Sequence, residues 1–126
     1  MYNGQEAEGK RIYERKGKEV DVLCAKYDMD GSTLTIALSG EIDHHTAGRL
    51  RTRIDRELFI ERPGILRLDF QDVRFMDSSG IALILGRVES AGAVGACVRL
   101  EGLSNSLFKL VRLSGIERIK NLTVSP

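Results

Sequence analysis

The sequence predicts an α/β domain: a mixed sheet of four to five strands with helices packed against it, in the order β-β-α-β-α-β-α-β. Three observations predict it. Asp30-Gly31 is a hairpin signal between two early apolar runs. Beyond it, segments of helical spacing alternate with short apolar runs, the pattern of parallel crossovers. The 126 residues suffice for one core and contain no internal repeat.

Residues 1–19 are polar, with Gly4, Gly9 and Gly17 and balanced charge, and read as a flexible or weakly helical extension; residues 20–126 read as the domain. Val20 to Tyr27 reads as the first strand. In Thr33 to Ser39, Leu34, Ile36 and Leu38 alternate with Thr33, Thr35 and Ala37, so one face of the second strand is buried. Gly40 to His45 reads as a loop. Ala47, Leu50, Ile54 and Leu58 then recur at helical spacing, with Thr46 or Asp43 as cap and Pro63-Gly64 as stop. Ile65, Leu66, Leu68 and Phe70 form a third strand, and 71–77 a connection. Ser78 to Ala91 is a second helix, with Ile81, Ile84, Leu85 and Val88 facing the core, ended by Gly92 and Gly95. Ala96 to Leu100 is a fourth strand. Ser104 or Asn105 caps a third helix, which ends at Ser114-Gly115. Ile119 to Val124 closes as a last, short strand.

Composition narrows the function. Hydrophobic residues make up 42% and charged residues 29%, and 19 Lys+Arg against 18 Asp+Glu leave a net charge of +1. No strong field gathers nucleic acid or an anionic membrane, so neither is an expected partner. The longest strongly apolar stretch, Ile81 to Leu85, is too short to span a bilayer, and Met1 to Lys10 carries no apolar signal region; a cytoplasmic setting is expected. Cys24 and Cys97 sit in strand-like runs and read as small buried hydrophobes in a reducing compartment. The adjacent His44 and His45 make no metal set by themselves, and no cofactor is expected. Arg49, Arg51, Arg53 and Arg56, interrupted by Asp55 and Glu57, read as a solvated helix face.

The informative segment is Phe75-Met76-Asp77-Ser78-Ser79-Gly80, between a strand and a helix start. Unpaired backbone N–H groups and the positive end of the helix dipole meet solvent there. A serine at this place either caps the helix or presents its hydroxyl for modification, and a phosphate would meet N–H groups that tolerate anions. Ser79 reads as a helix-start residue, and Gly80 as a site of close approach by another backbone. Asp77-Ser78 with His44 or His45 does not make a hydrolase, because the Gly-x-Ser-x-Gly elbow is absent. No Walker or Gly-x-Gly-x-x-Gly pattern occurs either, and the chain does not read as an enzyme.

Two motifs carry a resemblance: Leu38-Ser39-Gly40-Glu41-Ile42-Asp43-His44-His45-Thr46-Ala47 and Phe75-Met76-Asp77-Ser78-Ser79-Gly80-Ile81, with Leu83-Ile84-Leu85-Gly86-Arg87 and the Leu107 to Ile116 region following. Together they resemble the STAS-domain anti-sigma-factor antagonists, most nearly the sporulation type, over roughly residues 20 to 120. The resemblance implies a STAS-like sheet and a phosphoprotein switch. The unphosphorylated form would bind an anti-sigma factor that is also a serine kinase and so release a sigma factor. Phosphorylation of Ser78 would end that binding, and a phosphatase would restore it. Asp43, His44, Asp77, Ser79 and Gly80 would form the partner-binding surface. A scaffold module of a stress-signalling assembly is the alternative within the same family. Related antagonists often continue into a final helix packed on the sheet. The chain here closes at Pro126, so a monomer or weak homodimer is expected.

Overall fold

The computed structural model describes residues 6–7, 10–12 and 25–126. Among the described residues seven strands form one sheet in sequence order: β1 (Glu6–Ala7), β2 (Lys10–Ile12), β3 (Ala25–Asp30), β4 (Thr33–Ile42), β5 (Ile65–Met76), β6 (Cys97–Glu101) and β7 (Leu122–Val124). Helices α1 (Ala47–Glu61), α2 (Ser78–Ala93) and α3 (Asn105–Ser114) connect the last four strands. The pairs up to β3–β4 are antiparallel, and β4 to β7 are parallel. The mixed sheet and element order of the domain are those expected. Within the supposed extension, residues 6–7 and 10–12 pair as strands; the rest of 1–19, the expected strand residues 20–24 and Cys24 lie outside the described residues.

Parallel neighbours joined in sequence order by right-handed crossovers place every helix on one face. Leu34, Ile36 and Leu38 of β4, Leu66, Leu68 and Phe70 of β5, and Val98 and Leu100 of β6 point to that face. With Leu50, Ile54, Leu58, Ile84, Val88, Leu107 and Val111 from the helices they form one buried core. The other face is polar. Arg67 Nε donates to Glu101 Oε1 at 2.6 Å and its Nη1 to Thr35 Oγ1 at 3.3 Å, a link across β4, β5 and β6. Cys97 shares this phase and is exposed rather than buried, because Val98 and Leu100 take the core-facing positions of β6.

The turn at Gly31, with φ of 61°, closes the β3–β4 hairpin, and β3 runs on to Asp30, past the expected strand end at Tyr27. Two expected loops are strand. β4 continues through Gly40 to Ile42, and β5 runs to Met76 instead of stopping at Phe70. The reason for the second is register. Ala37 pairs with Asp69 but Ser39 with Asp72, and Gly40 pairs with Val73 but Glu41 with Phe75, so β5 carries two extra residues. Strict alternation from Phe70 would bury Asp72 and Arg74 along with Met76; the two bulges turn both charged residues out, bury Val73 in their place and return Met76 to the core.

The helices hold two further corrections. α2 turns Leu83, Ile84, Arg87, Val88 and Ala91 inward, which leaves Leu85 exposed, while Ile81 packs at the core margin. On α1, Glu57 is fully buried, while Arg49, Arg51 and Arg56 are exposed as expected. At the ends of the helices, Ser104 Oγ accepts from Leu107 N at 3.2 Å and caps α3, and Gly115, at φ of 80°, ends it.

Candidate functional site

β4 and β5 end side by side. Ile42 is paired with Met76, both buried, and Asp77 N donates to Ile42 O at 3.2 Å. The next residue on each strand, Asp43 and Asp77, therefore opens onto a common rim at the carboxyl ends of the parallel strands. This is where α/β sheets gather functional groups.

The Asp43 loop is internally bonded. Asp43 Oδ1 accepts from His45 N at 2.9 Å and Thr46 N at 3.2 Å, and Asp43 O accepts from Ala47 N at 2.9 Å. Thr46 Oγ1 accepts from Asp43 N at 3.0 Å and donates to Glu41 O at 2.9 Å. Of the two expected cap residues, Thr46 holds the N-cap position of α1 without a side-chain cap bond, and Asp43 supplies the carboxylate that fixes the turn. His44 and His45 are exposed, with ring centroids 3.9 Å apart. The His45 N–H holds the Asp43 carboxyl below the ordinary aspartate value of 3.8; burial opposes it, and Thr46 N–H and the two imidazoles add to the lowering.

A carboxyl whose folded pKa is lowered stabilises the fold above its unfolded value, and that contribution is lost as pH falls through the lowered one. The Asp43 turn is therefore expected to persist at pH 4 and to open in more acid solution. The amide shifts of His45 and Thr46 should titrate with a midpoint below 3.8; a midpoint at or above that value would contradict the bonding.

Asp77 is the N-cap of α2. Its Oδ1 accepts from Ser79 N at 2.8 Å, and its carbonyl accepts from Gly80 N at 2.9 Å. Neither Ser78 nor Ser79 caps the helix. Ser79 is half-buried; Ser78, the first helical residue, is exposed, and its hydroxyl has no hydrogen-bond partner among the described residues. Gly80 is buried and approaches a side chain, not a backbone. A Cβ there would lie 2.1 Å from Met76 Cγ, 2.4 Å from Met76 Sδ and 3.4 Å from Ile42 Cγ2. Gly80 thus lets the rim close over Met76, and it lies beneath the surface. Gly80→Ala is expected to cost about 1–3 kcal/mol through overpacking, measured as a lower denaturant midpoint with an unchanged slope.

The structure thus brings Asp43, Asp77, Ser78 and Ser79 to one rim, with His44 beside them and Gly80 below. Sequence reasoning missed Thr46 as the tie between the strand end and the loop. It also missed Phe75, paired in register with Glu41 and 49% exposed. The signal for Phe75 was present: Phe70, Val73 and Met76 are three apart, a period that leaves Phe75 outside.

Among the described residues no three His, Cys, Asp or Glu side chains gather as a metal site, and no helix is long and apolar enough to cross a membrane. Comparison with known proteins gives the context. The chain is 31% identical over 86 residues, 68% of its length and 74% of the relative's, to the anti-sigma F factor antagonist of Paenibacillus polymyxa. The fold superposes on the anti-sigma factor antagonist SpoIIAA in its unphosphorylated form with a TM-score of 0.68 and 29% identity, covering 82% of this chain and 89% of that one. For the phosphorylated form of the Bacillus cell fate determinant SpoIIAA the TM-score is 0.62, again at 29% identity, covering 82% and 92%. These relatives are named for regulatory antagonism, not for an enzymatic reaction. Residues 26–125, from β3 to the residue after β7, match the STAS domain, and the chain belongs to the STAS domain family.

Proposed function

We propose that this chain is an anti-sigma-factor antagonist of the cytosol, switched at Ser78. With Ser78 unmodified, the rim binds an anti-sigma factor that is also a serine kinase, and the sigma factor is released. Phosphate on Ser78 ends that binding, and a phosphatase restores it. Asp43, His44, Asp77 and Ser79 frame the contact.

One observation carries the reading: Asp77 does the capping, so the Ser78 hydroxyl is exposed and spare at the head of α2. A serine needed as a cap could not be modified without cost to the helix. The names of the relatives support the partner class, and the two states of SpoIIAA support a phosphorylation switch in a fold that persists.

The test is incubation with an anti-sigma serine kinase from the same genome and ATP, followed by peptide mass spectrometry. One phosphate on Ser78, and none on Ser78→Ala, is expected. Phosphate on Ser79, or on neither serine, would overturn the assignment.

A further inference from the structure

A switch that works by adding charge needs a favourable term to switch off, and the polar rim supplies little of it. Tight protein interfaces are held by a few buried aromatic or apolar anchors, while polar groups around them set specificity. Among the described residues, the large apolar side chains that are exposed are Phe59, Ile60, Phe75, Leu85 and Leu113. Topology separates them. α1 and α3 start at the carboxyl rim and run back across the sheet, so Phe59 and Ile60 in the last turns of α1, and Leu113 in the last turn of α3, sit at the far end. Leu85 lies halfway along α2. Phe75 is the one at the rim, two residues before Asp77.

Its exposure is built in. The bulge between Val73 and Phe75 turns Val73 and Met76 inward and puts Phe75 out, beside the exposed Glu41. Bulges serve to re-aim a side chain near functional sites. A single exposed phenylalanine is ordinary on a protein surface; its place on the same strand end as the switch is what carries the argument.

Resting on the function proposed above, we infer that Phe75 is the apolar anchor of the partner contact. It enters a pocket on the anti-sigma factor, and that pocket is bordered by neutral hydrogen-bond-donating groups that meet Glu41, Asp43 and Asp77 and leave no cation facing Ser78. Ser78 then sits at the margin of a desolvated patch, where a phosphate is most costly.

The test compares wild type, Phe75→Ala, Phe75→Leu, Leu113→Ala and Ser78→Asp by calorimetric titration with the anti-sigma kinase, with backbone amide spectra as the check on folding. Phe75→Ala is expected to bind about 10- to 100-fold more weakly, Phe75→Leu to recover part of the loss, and Leu113→Ala to stay within about twofold of wild type. In the kinase assay Phe75→Ala should raise KM and leave kcat unchanged. Wild-type affinity for Phe75→Ala, with Ser78→Asp still impaired, would overturn the anchor and keep the switch. Wild-type affinity for both variants, or no binding by wild type, would overturn the two together.

Discussion

Ser78→Asp is expected to bind an anti-sigma kinase at least about 100-fold more weakly than wild type, a loss of about 2.7 kcal/mol, while Ser78→Ala binds as wild type does. The size follows from local charge. At an effective dielectric near 20, a double charge about 6 Å from a single one interacts by roughly 5 kcal/mol before salt screening. A phosphoserine carries about −1.5 to −2 charges at neutral pH, and Asp77, the next residue, is already engaged as the N-cap. The helix end returns only about 0.3–1 kcal/mol. Aspartate carries half the charge of the phosphate and should reproduce part of its effect, so the true phosphoprotein should bind more weakly still. Raising the salt from about 0.05 M to 0.5 M should narrow the gap between Ser78→Asp and Ser78→Ala, because a rim-exposed repulsion is screened and a lost packing contact is not. Equal affinity of the two variants at low salt would remove the charge mechanism.

Much of this arrangement is legible from residue types alone, and the exceptions share a cause. Leu34, Ile36 and Leu38 declare β4 through their alternation, and Leu50, Ile54 and Leu58 declare α1 through their spacing. β5 hides its second half because two bulges break the period that identifies a strand. Arg87 takes a core-facing position of α2, and Leu85 is exposed, because tertiary pairing overrides hydrophobicity there. At the site, the segment Asp77 to Gly80 stands out as a strand-to-helix junction. Which side chain caps the helix does not, since Asp and Ser are near-equal caps and only geometry chooses. Gly80 announces a close approach without saying to what; the Met76 side chain answers only in three dimensions.

The largest stability effect is expected between α1 and α2. Arg87 of α2, 4% exposed, lies with Nε 2.8 Å from Asp55 Oδ1 of α1. Burial lowers the arginine's pKa and Asp55 opposes the shift, so the carboxylate is what makes a cation tolerable between the helices. Removing one partner of a buried pair leaves an uncompensated charge and costs about 3–5 kcal/mol, whereas replacing both partners by apolar residues of similar volume is near neutral. Asp55 itself is partly open to solvent, with 39% of its side chain exposed, which puts Asp55→Ala at about 2–3 kcal/mol, the low end. Arg87→Met leaves the Asp55 carboxylate without its cation and, because that side chain is partly solvated, should cost about 1–2 kcal/mol, while the double variant should cost clearly less than the two losses added, giving a coupling energy of about 2 kcal/mol in urea unfolding. Additive losses would mean that the two groups do not depend on each other. A coupled pair would mean that α2, with Ser78 at its head, is held in register with α1, whose first turn follows the Asp43 loop, by charge as well as by packing. A phosphate at Ser78 would then be presented on a helix that cannot slide to relieve it, so its repulsion falls on the partner.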